Sequence, residues 1–239
     1  MLYMQNIYEP DFVKKLFNQM SGSYERMNFI TSFGFSIIWR KQFLNKLQSS
    51  QENINVIDLL SGLGENWKSL NQKYPNGNLN ALDFSEEMVS KSENKNSNYF
   101  NNKFKIRQED LLNNHLSSNY FDFVSCAFGL KTFNKEQLNI FAETLNRILK
   151  QNGEFSFIEI SVPTNPILKF FFGFYLGKII PILGKLFLGN PSDYKMLWKY
   201  TTQFKNCKEV QSIFEKNNLE VKYHSYFFGC ATGVSGRKK

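Results

Sequence analysis

A doubly wound α/β sheet, mostly parallel and seven-stranded, is the fold class this sequence predicts, and three observations predict it. Five apolar, β-branched runs recur between residues 56 and 160, separated by turns or by stretches at helical spacing. The first run leads through a glycine turn into a helical pattern, in Asn55–Glu65 (NVIDLLSGLGE). The second run ends in an acid, Asp83. It lies about 20 residues after the glycines, where nucleotide-binding sheets place the carboxylate that holds ribose hydroxyls. Strand, glycine turn and helix in that order suit a nucleotide-type cofactor. Glycines let the backbone approach the ligand, and the following helix aims free N–H groups at its polar end. The turn reads D-x-L-S-G-x-G and lacks a full glycine fingerprint, so by itself it also fits a purely structural turn.

Taken in order, the chain opens with helices. Asp11–Met20 has Phe12, Leu16, Phe17 and Met20 on one side, with Asp11 as N-cap. A turn over Ser21–Asn28 leads to a second helix carrying Phe29, Ile30 and Phe33, which Gly34 interrupts. Ile37, Ile38, Phe43, Leu44 and Leu47 form a third stripe. The polar stretch Ser49–Asn53 separates a helical lid, residues 1–53, from the main domain, residues 54–239. There the strands are Val56–Leu60, Leu79–Asp83, Phe104–Gln108, Phe121–Ala127 and Glu154–Ile160. The helices between them are Trp67–Lys73, Ser85–Lys91 with Ser85 as N-cap, and Leu138–Leu149 closed by a glycine stop at Gly153. Ser92–Asn102, rich in Asn, Ser and Lys, reads as a loop. An insertion covers residues 163–204. A helix at Lys208–Lys216 and two antiparallel edge strands about Gly229 complete the domain.

At 239 residues the chain is long enough to bury a sizeable core. Its net charge of +8 permits nucleic acid, an anionic membrane surface or an acidic ligand. The basic residues are scattered, however, and the densest spots, Arg40-Lys41 and Arg237–Lys239, lack the interleaved aromatics of a stacking platform. No nucleic-acid partner is expected. Three widely spaced cysteines make neither a disulfide framework nor a zinc pattern and suit a reducing, cytoplasmic setting. Cys126 ends an apolar strand and reads as a small core residue. His115 and His224 stand alone, so no metal is expected. The first residues carry no apolar run of a signal peptide. Ile167–Leu188 is the most apolar stretch, but Lys169, Lys178, Lys185 and Pro181 argue against a spanning helix. Two short helices fit better. They wall a pocket for a long tail, rest on a membrane surface with lysines toward anionic headgroups, or simply pack on the sheet.

Several stretches, in order and at matching spacing, resemble the ubiquinone/menaquinone C-methyltransferases (UbiE/MenG type), which are class I S-adenosylmethionine-dependent enzymes. Near the start are Ser-x-Tyr24-x-x-Met27-Asn28, Ser32-Phe33-Gly34 and Trp39-Arg40-Lys41. The glycine turn follows, then Phe121–Lys131 (FDFVSCAFGLK), Glu159…Pro163, Ser192-Asp-Tyr194-x-x-Leu197 and the closing Phe228–Lys238. The likeness runs from Phe17 to the C-terminus. The departures are Leu60 for a glycine or alanine, Ser61 for a glycine, Leu63 for threonine, Glu65 for aspartate, Lys131-Thr132 for Arg-Asn, and Lys199-Tyr200 for Glu-Ser.

The resemblance implies S-adenosyl-L-methionine as cofactor. It implies that Asp83 takes the ribose and that Ser61, Gly62, Leu63 and Gly64 line the methionine portion. Phe84 lies against adenine or in the core. Asp110 and Leu111 meet adenine, Asp110 having a helix N-cap as its alternative role. Tyr24 covers the methionine end from the lid, and Ala127 sits beside the transferred methyl. Methyl transfer from a sulfonium asks the protein mainly to position two reactants. A ring carbon attacks well when a neighbouring hydroxyl is ionised, and a nearby cation favours that form. Lys131 is the candidate cation, with an exposed surface lysine as its alternative reading; water or Tyr194 removes the ring proton. The acceptor so implied is an apolar small molecule, an isoprenoid quinol or naphthoquinol. Two rivals stand beside it. One is a methyltransferase of the same fold acting on another apolar molecule, favoured by Lys131-Thr132. The other is a non-catalytic scaffold, favoured by Leu60.

Overall fold

Residues 6–32, 34–180, 182 and 191–239 are described in a computed structural model. The strands are β1 (Asn55–Leu59), β2 (Asn78–Asp83), β3 (Phe104–Gln108), β4 (Phe121–Ala127), β5 (Leu149–Ile160), β6 (Leu219–Tyr226) and β7 (Ala231–Lys238). They form one seven-stranded sheet in the order β3-β2-β1-β4-β5-β7-β6. The first five pair in parallel, and β7 runs antiparallel between β5 and β6. The chain leaves β1 toward β3 and returns to β4 on the other side. This reversal opens a crevice outside the carboxyl ends of β1 and β4, where open α/β sheets bind their ligands.

Helices cover both faces, as a parallel sheet requires. On one face α6 (Lys135–Ile148) and α9 (Lys208–Lys216) pack on Ile57, Leu59, Phe155 and Phe157. On the other, α3 (Phe35–Leu44) and α4 (Trp67–Lys73) pack on Val56, Leu79 and Ile158. The period-2 alternation along each strand sends neighbours to opposite cores. A third cluster joins α1 (Pro10–Met20) to Ile180 and to Tyr200 of α8 (Pro191–Phe204).

Four local expectations need correction. The helix after β2, α5, runs Glu86–Phe100, so most of the expected loop is helical. Its polar residues are satisfied by tertiary partners: the buried Asn96 amide donates to Phe104 O at 2.7 Å and its carbonyl accepts from Phe104 N at 3.1 Å. Ser85 caps α5 as expected, accepting from Met88 N at 3.2 Å. Next, α6 starts earlier, behind a capping box of Asn134 and Gln137, and has no glycine stop. β5 begins at Leu149, and Gly153 lies inside it, where the β4–β5 register shifts. A Cβ there would come within 3.0 Å of Phe121 O, so glycine serves the bulge. In α3 the buried residues are Trp39, Arg40, Phe43 and Leu44, while Ile37 and Ile38 stay exposed. Finally, the turn expected over Ser21–Asn28 gives way to helix at Tyr24, where α2 (Tyr24–Thr31) begins, with no Gly or Pro to delay it. In the apolar insertion α7 (Pro166–Phe174) continues as a π-helical turn at Tyr175–Ile179, and the expected break at Pro181 lies outside the described residues. The rest of that stretch, residues 183–190, also lies outside the described residues, as do the side chain of Ile30 in α2 and all of Phe33, beyond its end. Among the described residues no helix is long and apolar enough to cross a membrane.

Candidate active site

The turn after β1 is built from left-handed residues: Leu60 (φ 53°), Gly62 (φ 54°) and Gly64 (φ 72°). It is pinned to the end of β2. Ser61 N donates to Leu82 O at 3.0 Å, and Gly62 N donates to Asp83 Oδ2 at 2.8 Å. The other Asp83 oxygen accepts from Ser85 N at 3.0 Å. Burial raises the Asp83 carboxyl to about 6, against the opposing pull of the Ser85 and Gly62 amides. Turn and acid therefore form one rigid unit at the crevice.

A narrow cleft of about 50 Å³ opens there. Its sheet side is Leu60, Gly62, Asp83, Phe84, Asp110, Leu111 and Ala127; its far side is Tyr8, Val13, Phe17 and Tyr24 from the N-terminal segment. Most of the expected cofactor contacts thus converge. Asp110 caps no helix: its Oδ1 accepts from Leu112 N at 2.9 Å and shapes a turn. Ser61, Leu63 and Gly64 do not reach the cleft wall. A Cβ on Gly64 would lie 2.5 Å from the Trp67 ring, so this glycine makes room for Trp67. Leu63 faces a separate surface recess with Ser21 and Lys91. Ser61 is buried, and its hydroxyl has no partner among the described residues. Leu60, the bulky departure, lines the cleft and leans on Gly129, where a Cβ would meet Leu60 Cδ1 at 2.5 Å. The room its side chain needs comes from the glycine opposite.

Below the turn lies a buried polar network. Asp58 Oδ1 accepts from Ser125 Oγ at 2.6 Å and from Asn66 Nδ2 at 3.0 Å. Arg40 donates to Asn66 Oδ1 at 3.0 Å and to Glu65 Oε1 at 3.3 Å. Asp58 Oδ2 has no partner among the described residues, and burial pushes its carboxyl up to about 7. The Arg40 guanidinium sits 4.8 Å from the centroid of the Phe128 ring. Phe128 itself is held at φ 65°.

Phe128 and Tyr24 line both this cleft and a second cavity of about 290 Å³. The second cavity is apolar. Phe35, Trp39, Leu168, Phe172, Leu176 and Trp198 contribute to its wall, and Lys131 is its charged group. Lys131 is buried, which removes the reading of an exposed surface lysine. Its ammonium donates to Phe128 O at 2.6 Å and to Glu159 Oε1 at 2.9 Å. Glu159 Oε2 accepts from Lys131 N at 3.1 Å. An ammonium has three N–H groups, and among the described residues these two acceptors take two of them. Tyr194 belongs to α8, but its side chain lies outside the described residues.

Sequence reasoning missed Glu159, Arg40 and Phe128 as parts of the site. For Glu159 a signal existed: a lysine just after a largely apolar strand needs a partner if buried, and Glu159 lies near the end of the adjacent strand, with Ala127 beside Ile158 in the register.

The cleft thus joins a buried acid, Asp83, to the apolar Phe84 and Leu111 and to the turn at Gly62. The model of the ubiE/COQ5 methyltransferase family matches residues 4–238. A demethylmenaquinone methyltransferase of Staphylococcus carnosus is 31% identical over 239 residues, covering 98% of this chain and 96% of that one. Among solved structures, an S-adenosylmethionine-dependent methyltransferase of Aquifex aeolicus aligns with a TM-score of 0.58 at 19% identity, over 82% of this chain and 88% of its own. Phosphoethanolamine N-methyltransferase 2 of Haemonchus contortus, in complex with S-adenosyl-L-methionine, aligns with a TM-score of 0.62 at 10% identity, over 84% and 52%. At such identities these structures speak for the fold.

Proposed function

Because this chain belongs to the ubiE/COQ5 methyltransferase family, an S-adenosylmethionine-dependent group, we propose that it methylates a ring carbon of an isoprenoid naphthoquinol, the reduced form of a demethylmenaquinone. The observation that carries this reading is the pair of cavities meeting at Tyr24 and Phe128, one with a buried acid tied to the glycine turn, the other apolar with a single buried ammonium. Bound in the first, the cofactor supplies an electrophilic methyl and its own leaving group. Asp83 accepts from the ribose hydroxyls, Phe84 and Leu111 flank the base, and the Gly62 backbone meets the amino-acid arm. In the second, the third N–H of Lys131 donates to a ring oxygen and favours its anionic form. Glu159 holds that ammonium in place. The ring proton leaves to water or to Tyr194.

Small-molecule sites take roughly 300–1,000 Å³. The cleft is far smaller, so the N-terminal helices act as a lid. α1 moves off to admit the nucleoside, releasing the ion pair of Lys14 with Glu86 and the bond from Asn18 to Glu86 at 2.9 Å.

The test is direct. Purified protein with S-adenosylmethionine and a reduced demethylmenaquinone should yield a product one methyl heavier, with the new methyl on carbon by NMR. An O-methylated product, or none from a preparation that binds the cofactor in calorimetry, rejects the acceptor. In cells, a deletion strain whose quinone pool is unchanged rejects it as well.

A further inference from the structure

Resting on that acceptor, we propose that a groove on the outer side of α7 binds the polyisoprenoid tail of the substrate, and that Trp198 is the partition between it and the ring cavity. The helical run from Pro166 to Ile179 has two faces. Leu168, Phe172 and Leu176 point into the ring cavity. Lys169, Phe170, Gly173, Phe174, Gly177 and Lys178 line an open groove of about 1000 Å³ on the outside. Among the described residues Trp198 alone lines both.

The wall is thin where Trp198 stands. Gly173 and Gly177, one helical turn apart, offer no side chain, and the indole fills the gap. A Cβ at Gly173 would lie 3.2 Å from the indole six-membered ring, and one at Gly177 would lie 3.3 Å from its Nε1 edge. A change in the Trp198 rotamer therefore joins cavity and groove without moving a helix.

Volume decides what goes where. The ring cavity, about 290 Å³, is at the lower end of the roughly 300–1,000 Å³ of small-molecule sites, enough for a bicyclic head and too little for a long chain as well. The groove is open, and its lining includes Phe170, 70% exposed, and Phe174, 55% exposed. These are large apolar side chains left in water unless something covers them. Its rim carries Lys169, Lys178 and Lys205, whose alkyl stems lie along an apolar ligand while the charges stay wet. The ligand class is an uncharged, methyl-branched hydrocarbon chain continuous with the head group.

The experiment compares two detergent-dispersed naphthoquinols, one with a single prenyl unit and one with eight, using radiolabelled S-adenosylmethionine. The readout is the ratio of kcat/KM, long over short, which does not depend on the fraction of folded enzyme. In the double variant Phe170→Glu, Phe174→Glu the ratio should fall at least tenfold, through KM. Geranylgeraniol, a tail without a head, should bind the unmodified chain and not this variant. A ratio that stays put, or tail binding that survives, overturns the groove. A loss of ratio seen with vesicle-borne substrate but not in detergent also overturns it, and makes the face a membrane contact. If the unmodified chain methylates neither quinol yet binds geranylgeraniol, the acceptor assignment fails and the groove stands.

Discussion

The donor cleft and the acceptor cavity meet at Tyr24 and Phe128, yet they are built in opposite ways. The donor side is made of strand ends, and its acid is bonded to the adjacent turn through backbone amides. The acceptor side is made of helices laid on the sheet, with one buried ion pair as its polar feature. The first is rigid because backbone amides tie the turn after β1 to the end of the neighbouring β2. The second gathers side chains from residue 24 to residue 230 and depends on how α3, α7 and α8 sit. A parallel sheet therefore fixes the donor site, and inserted helices set the acceptor.

The largest blow to that contrast falls on the acceptor side. Lys131→Ala leaves Glu159 charged and fully buried, and should cost about 3–5 kcal/mol in denaturant unfolding. The pair Lys131→Met, Glu159→Gln should recover most of that stability and still turn over slowly, with cofactor affinity intact. Lost cofactor binding in the folded double variant would put Lys131 in the wrong cavity.

Under the donor site, pH supplies the next lever. Asp58 and Asp83 are raised from 3.8 to about 7 and about 6. Between 3.8 and those values the unfolded chain is ionised while the folded chain keeps its protons, so the stability these two groups contribute is greatest below pH 4 and falls as pH rises toward 7. The loss should follow both carboxyls, and Asp58→Asn should remove the larger part of it. A profile rising over that window contradicts the buried carboxyls.

A finer probe is Gly129→Ala, whose Cβ would press on Leu60. Overpacking of this kind costs about 1–3 kcal/mol. Cofactor affinity should drop, and adding Leu60→Gly should restore it; additive losses would mean that the two side chains do not share space.

Smallest is the titration of Asp83 on binding. Below pH 6 calorimetric affinity for S-adenosylmethionine should weaken by about tenfold per pH unit, roughly 1.4 kcal/mol, while acceptor binding holds steady. Equal weakening of both ligands would erase the distinction between the sites.

How much of this was legible in the sequence follows from the same division. Asp83 and Gly62 were readable because strand ends and turns announce themselves within a few residues, whereas Tyr24, Phe84, Asp110, Leu111 and Ala127 came from the family likeness. The helix over Ser92–Asn102 was hidden because Ser92 and Asn96 look solvent-loving until their buried partners are known.

From the order of residues alone come the strand-and-helix alternation, the glycine turn, the acid 21 positions beyond Gly62 that bonds to it, and the chemistry of the family. Periodicity and turn chemistry are local, so they survive without coordinates. Folding alone decided that Lys131 is buried against Glu159, that Leu60 fits because Gly129 faces it, and that Trp198 stands between two cavities. Each joins residues brought together by strand order and helix packing, and distance along the chain carries no trace of that.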